Sequence, residues 1–332
     1  MPKVRTVLGD IEASELGFTM AHEHVIHCPR GLFAPDNEWA LRDFNIQLQM
    51  VKDYKAIGGG TLVDAMCRDQ DGRCPAYLKV ISETTGVHII AATGIPFDYP
   101  GDREPLMDLS IVWKDKDVDE IAAGYVKEIT EGMNGTNIKA GWIKAGTQYC
   151  YATPGEIKGL KAAARAALAT GAAVHTHTDG GSFALEQLEI VLNEGLPGSQ
   201  FGVAHIDRNP DFWLHKKIAE SGVPYYIEVG NMPTTNDALA FLMSQKHLTV
   251  APSKAVNACG VSVSELEMAQ NAQRIYWTAE EVDAKMEAIM KNIYDASVEA
   301  AERYGLGYNL VAGANIAGFQ KVADAMMAQG IF

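Results

Sequence analysis

Seven short apolar runs, at 18–22, 61–65, 87–93, 138–144, 172–177, 202–205 and 223–229, alternate with segments of helical period. Runs of this length bounded by turn residues read as strands buried on both faces. Their alternation with helices points to a parallel sheet built from right-handed βα units. The helices are well punctuated. Thr153-Pro-Gly-Glu156 reads as a capping box with proline at the first helical position, Gly171 closes the same helix, and Gly58-Gly-Gly60, Gly86 and Gly222 separate helical segments from strands. The pattern stops near residue 228, short of the eight strands that close a barrel of this kind.

Several of these runs end in groups that carry chemistry. His22-Glu-His24 closes the first, and Lys144, His177 and His205 close later ones. In a parallel barrel the carboxyl-terminal strand ends are where reacting groups gather. Side chains alternate along a strand with period two, so His22 and His24 point to one face and can hold one ion together. An isolated His-x-His is as readily a core or surface feature. Four strand ends in one series carry more weight. A protonated lysine repels metal ions, so Lys144 helps only with a depressed pKa, or after carbon dioxide turns it into a carbamate able to bridge two ions. Taken alone it reads as a lysine snorkelling at a strand end.

The net charge of -14 is spread along the whole chain and argues against a nucleic-acid or anionic-membrane surface. No apolar run reaches the length of a membrane span, and Met-Pro-Lys-Val-Arg at the start lacks the apolar stretch of a signal peptide. We therefore expect a cytoplasmic protein. Cys28, Cys67, Cys74, Cys150 and Cys259 form no Cys-x-x-Cys pair and no disulfide framework, as in a reducing compartment.

Gly17-Phe-Thr-Met-Ala-His-Glu-His24, Gly86-Val-His-Ile-Ile-Ala-Ala-Thr-Gly94, Gly141-Trp-Ile-Lys144, Val174-His-Thr-His-Thr178 and Ala204-His-Ile-Asp-Arg-Asn209 resemble the phosphotriesterase family of the amidohydrolase superfamily, over about residues 1–228. The resemblance implies that His22 and His24 bind the more buried of two divalent ions, zinc or alternatively manganese or cobalt. It implies further that Lys144 is the carbamylated bridge and that His177 and His205 bind the more exposed ion. His175 is expected on the alternate face of its strand as a packed histidine, and His27 and His88 as structural residues. The implied reaction is attack of a metal-bridging hydroxide on an ester, lactone or phosphoester. The family's eighth-strand aspartate, which binds the buried metal and takes the proton, has no counterpart here. Leu310-Val-Ala-Gly-Ala-Asn315 comes nearest and would put an asparagine there.

Beyond Glu228 the texture changes. Residues 234–247, 263–275, 278–304 and 317–329 read as helices, while Leu248-Thr-Val-Ala-Pro and Asn309-Leu-Val-Ala-Gly are strand-like. Val229-Gly-Asn-Met-Pro-Thr-Thr-Asn236, Val250-Ala-Pro-Ser-Lys-Ala-Val-Asn-Ala258, Glu265-Leu-Glu-Met-Ala-Gln-Asn271 and the stretch from Gly313 to Gly330 resemble the carboxyl-terminal part of a bacterial glutamate dehydrogenase. That resemblance implies a chimera joined within the seventh strand. Asn231 would come from near a nicotinamide, and Val261 and Ser264 from a glutamate pocket. Cys259 and Glu265 stand where that family has glycines. The glycine fingerprint of a dinucleotide fold is absent, so NAD(P) is not expected as a cofactor and neither is dehydrogenase activity.

The expected architecture is α/β, a TIM-type (β/α) barrel that is incomplete or irregularly closed, with a helical carboxyl-terminal region. Residues 1–228 form the barrel portion and 229–332 the dehydrogenase-like segment. Leu248-Thr-Val-Ala-Pro-Ser253 is the best candidate for the eighth strand. It offers Ser253 and Asn257, both poorer ligands and bases than a carboxylate. The expected function is a binuclear-metal hydrolase of the phosphotriesterase and lactonase type, with Lys144 as its catalytic lysine. The alternative is a metal-binding or fusion protein with neither parent activity. A small-molecule substrate is expected, and homo-oligomerisation is compatible with the sequence. Tyr99 and Asp207-Arg-Asn209 are candidate substrate contacts, or equally loop and cap residues.

Overall fold

The computed structural model describes residues 3–27, 41, 43–69, 72–98, 108–209, 211–231 and 233–330. Cys28, Tyr99 and the side chain of Asp207 lie outside the described residues. The chain divides into two compact units, Met1–Ile206 and Asp207–Phe332.

The first unit opens with an antiparallel hairpin, β1 (Lys3–Thr6) and β2 (Gly9–Glu12). It continues as β3 (Phe18–Glu23), α1 (Phe44–Ala56), β4 (Gly59–Asp64), α2 (Pro75–Thr85), β5 (His88–Ile90) and β6 (Ala92–Gly94). Then follow α3 (Leu109–Val112), α4 (Val118–Thr130), β7 (Trp142–Gly146), α5 (Pro154–Thr170), β8 (Val174–His177), α6 (Ala184–Asn193) and β9 (Phe201–Val203). Among the described residues the strands after the hairpin pair in parallel: β3-β4-β5 in one sheet and β6-β7-β8-β9 in the next. Only Ala91 separates β5 from β6, so the two occupy one strand position that bends between partners.

Local chemistry explains the boundaries. Thr153 and Glu156 close a reciprocal capping box on α5, and Gly171 ends that helix in the left-handed region with φ 78°. The alanine-rich face of α5 is fully buried, and Gly159 lets the helix lie against the Trp113 ring. The run expected as a strand from 138 becomes one only at Trp142. Ile138 and Ala140 are buried, but in a loop.

The second unit contains α7 (Phe212–Glu220), β10 (Tyr225–Ile227), α8 (Asn236–Ser244) and β11 (Thr249–Ala251). The run proposed for the eighth strand is thus a strand, and it pairs in parallel with β10 through the crossover helix α8. Counting β5 and β6 together, the described residues supply six parallel strand positions in the first unit and two in the second. The rest is helical: α9 (Ser253–Val256), α10 (Ala258–Gln273), α11 (Ala279–Arg303) and α12 (Leu310–Gln329).

One expectation fails in this region. Asn309-Leu-Val-Ala-Gly is not a strand. Asn309 caps Ala312 N with its side chain, and the apolar residues after it open α12. A short apolar run does not distinguish strand from buried helix, and here Gly313 decides. A Cβ there would collide with the Ser297 carbonyl oxygen, so glycine lets α12 pack closely on α11. Asn315 accordingly lies on a helix and not at a strand end, where it hydrogen-bonds with Lys254.

Candidate metal centre

The first unit brings the chemistry-bearing strand ends together. His22 lies within β3 and His24 directly follows it, with ring centroids 5.5 Å apart. The Lys144 Nζ lies 3.4 Å from His22 Nε2. His177 ends β8, and its ring sits 4.9 Å from that of His205, two residues beyond β9. His205 is held at φ 65°, a left-handed conformation costly for a residue with a Cβ.

The environment is graded. Lys144 is only 4% exposed, lies 5.8 Å from the Trp142 ring centroid, and has its amine lowered to about 8 by burial. His22 is driven down to about 3, by burial first and then by Lys144 and the neighbouring histidines. His177 falls to about 4 from burial, His205 and Lys144. These imidazoles are therefore neutral at pH 7, the form that ligates metals. His24 and His205 are exposed and form the open side of the cluster.

Supporting residues orient these side chains. His24 Nδ1 lies 2.8 Å from the Met66 Sδ. A thioether only accepts, so this contact places the proton on Nδ1 and makes Nε2 the nitrogen that carries the lone pair. Asp64, buried at the end of β4, accepts from the Val25 amide at 2.9 Å and so fixes the chain just after His24. Burial raises its carboxyl to about 7. The Phe97 ring lies 5.1 Å from that of His177.

Sequence reasoning misplaced one residue. His175 does not face away from the cluster. It lies two positions before His177 on the same strand and therefore shares its face. Its ring is 5.5 Å from His22 and 6.0 Å from Trp142, and Lys144 is its ladder partner on β7. The spacing of His175 and His177, identical to that of His22 and His24, was the available signal. His27 also comes close, with its ring 5.8 Å from His24, while its backbone bridges to Leu41. His88 sits in the β4–β5 ladder opposite Thr61.

The remaining candidates lie in the second unit. Asn231 is exposed and accepts from Asn257 Nδ2 at 2.7 Å, and Val261 and Ser264 are exposed on α10. Asn209 acts in a turn before α7: its side chain accepts from the Asp211 amide, and its carbonyl lies 2.6 Å from His215 Nε2.

Fold and cluster together define a parallel α/β barrel-type protein with its reactive groups at carboxyl-terminal strand ends. Residues 2–237 match the Phosphotriesterase family, and the chain belongs to that family. Residues 213–330 match Glutamate/Leucine/Phenylalanine/Valine dehydrogenase, so the chain is a fusion of segments from two families. Among solved structures, it is similar to a lactonase from Listeria monocytogenes (26% identity, TM-score 0.63, covering 86% of this chain and 95% of that one). It is also similar to a mutant organophosphorus hydrolase from Deinococcus radiodurans (31% identity, TM-score 0.61, covering 75% and 78%). Its tail is 70% identical over 116 residues to NAD-specific glutamate dehydrogenase of Clostridium symbiosum, and 53% identical over 117 residues to the NADP-specific enzyme of Escherichia coli. The matched segment is 35% of this chain, and it spans 26% of the length of each of those dehydrogenases.

Proposed function

We propose that this chain is a metal-dependent hydrolase that cleaves an ester, lactone or phosphoester. The observation that carries the proposal is the grouping of His22, His24, Lys144, His177 and His205 at strand ends of one unit. The donor set suits two divalent ions, with zinc the first choice for imidazole ligands. Each pair of rings stands about as far apart as two imidazoles on one ion, since a metal–nitrogen distance of about 2.1 Å puts ring centres about 5 Å apart. Among the described residues no three His, Cys, Asp or Glu side chains converge as a metal site. A carbamate on Lys144 would supply the third donor that each pair lacks. When bound, the ions supply Lewis acidity and an activated water.

The chain's own residues have separable roles. Lys144 is buried with an amine lowered to about 8, which makes its neutral form accessible for carbon dioxide addition. Met66 and Asp64 hold the His22 to Val25 segment in place. Exposed His24 and His205 leave the substrate side open. A second reading, metal binding without turnover, is favoured by one observation: β11 and the residues just beyond it, Pro252 and Ser253, offer no carboxylate.

Metal content by elemental mass spectrometry, after expression with zinc and bicarbonate, tests the metal reading. Hydrolysis of aryl esters, lactones and phosphotriesters with and without zinc or manganese tests turnover. About two ions per chain and metal-dependent hydrolysis are expected. Metal without hydrolysis selects the second reading, and neither result leaves the ligands as relics of the parent family.

A further inference from the structure

We propose that Gln187, which lies outside the histidine cluster, is the positioning residue that holds His177 where it and His205 can share an ion. The inference rests on the metal-dependent reading above and adds no ligand to it.

Gln187 lies on α6 and is fully buried, as is Thr147 just beyond β7. Its Nε2 donates to the His177 carbonyl at 2.9 Å and to Thr147 Oγ1 at 2.7 Å. A carbonyl oxygen only accepts, so the amide is fixed with its nitrogen towards His177. The Thr147 amide donates to the same carbonyl at 3.2 Å. That oxygen therefore receives two bonds, one from the neighbouring strand end and one from a helix ten residues further along the chain. Across the ladder no side chain braces His177. Its partner is Gly146, where a Cβ would stand 3.0 Å from the His177 Cβ and collide with the Pro96 carbonyl. The end of β8 is thus held by its backbone bonds. Gln187 Oε1, on the other side of the amide, is buried without a hydrogen-bond partner among the described residues. An unsatisfied buried acceptor costs stability that an apolar side chain of similar length would avoid. What the glutamine adds is its donor, and that donor acts on the His177 carbonyl and on the threonine beside it.

The same stretch reaches His205. Thr178, buried directly after His177, donates its hydroxyl to the Ala204 carbonyl at 2.7 Å, and the Ala204 amide donates to the Thr176 carbonyl at 2.9 Å. Ala204 immediately precedes His205, whose φ is 65°. The His177–Thr178 peptide is therefore tied to α6 and β7 on one side and to residue 204 on the other, which sets the 4.9 Å separation of the two rings. Metal–nitrogen distances tolerate errors of only about 0.2 Å, so a shift of this peptide is felt in affinity even though neither Gln187 nor Thr178 ligates.

The test uses the full chain, freed of metal and titrated with zinc against a chelating dye in bicarbonate buffer, with thermal melts of the metal-free protein alongside. Wild type is expected to take up about two ions. Gln187→Met keeps the length of the side chain and removes both the donor and the unsatisfied acceptor. It is expected to melt close to wild type without metal and to bind one of the two ions at least roughly tenfold more weakly. Added to His205→Ala, which already lacks a ligand of that ion, it is expected to cause no further loss. Thr178→Val should weaken the same ion, and Thr178→Ser, which keeps the hydroxyl, should restore it. A glutamine with only a structural task gives the opposite pattern, a lowered metal-free melting temperature with zinc affinity unchanged. Two ions bound by Gln187→Met with wild-type affinity overturn the inference while the metal-dependent reading stands. If wild type binds no zinc, that reading fails and the inference with it. Should Gln187→Met not fold, the Thr178 pair decides.

Discussion

Replacing Lys144 with methionine should stabilise the metal-free chain at neutral pH. Burial lowers the ammonium from 10.5 to about 8, a difference that corresponds to roughly 3 kcal/mol spent keeping the charge inside the fold. Methionine has a similar shape and keeps the packing on Trp142. It forfeits the 3.4 Å contact with His22, worth about 1 kcal/mol. The net gain at pH 7 is therefore about 2 kcal/mol. The sign depends on pH in a defined way. Below about 8 the folded and unfolded states both carry the proton, and the whole penalty is present. Between about 8 and 10.5 the folded chain has released the proton while the unfolded chain still holds it, so wild-type stability rises with pH and the advantage of the variant shrinks. Urea unfolding followed by circular dichroism, in metal-free and carbon-dioxide-free buffer from pH 7 to 10, measures both quantities. Equal stability at pH 7, or a difference that stays constant across that range, would refute the reasoning.

Other consequences are open to direct measurement. His22, His175 and His177 are all held below the ordinary histidine range, chiefly by burial. The unfolded chain therefore takes up protons first, and metal-free stability should decline as pH falls from about 6.5 towards 4, by on the order of 3 kcal/mol for each of the three histidines; acid titration of His22→Gln should show a shallower decline. His205 occupies the left-handed region, so in metal-free thermal melts His205→Gly should be more stable than His205→Ala by about 1 kcal/mol. Buried Arg73 pairs through two bonds with Glu128, at 2.7 and 2.8 Å. Arg73→Met should cost about 3 kcal/mol by stranding that carboxylate, and Arg73→Met with Glu128→Leu should recover most of it; chemical denaturation distinguishes the two outcomes.

Much of the fold was legible because its signals are local. Strand runs such as 18–22 and 172–177 and the cap of α5 at Thr153 appear within a residue or two of where they were expected. The strand β11 was recoverable within Leu248–Ser253 from a short apolar run preceded by a helix. Asn309 to Gly313 failed because the same kind of run serves α12 once Asn309 caps it and Gly313 admits α11. The pairing of His22 with His24 could be read from a two-residue spacing, and the identical spacing of His175 and His177 carried the same message.

The sequence by itself determined most of the strand and helix segments, the two family origins, and the kinds of donor that close the strands. These depend on periodicity and on words of a few residues. Only the tertiary structure decided that His175 faces His22, that Lys144 is buried deeply enough to weaken its charge, and that Met66 and Asp64 support the His22 to Val25 segment. Those facts follow from the register between strands distant in the chain and from the exclusion of water around them, and neither is encoded in any local stretch.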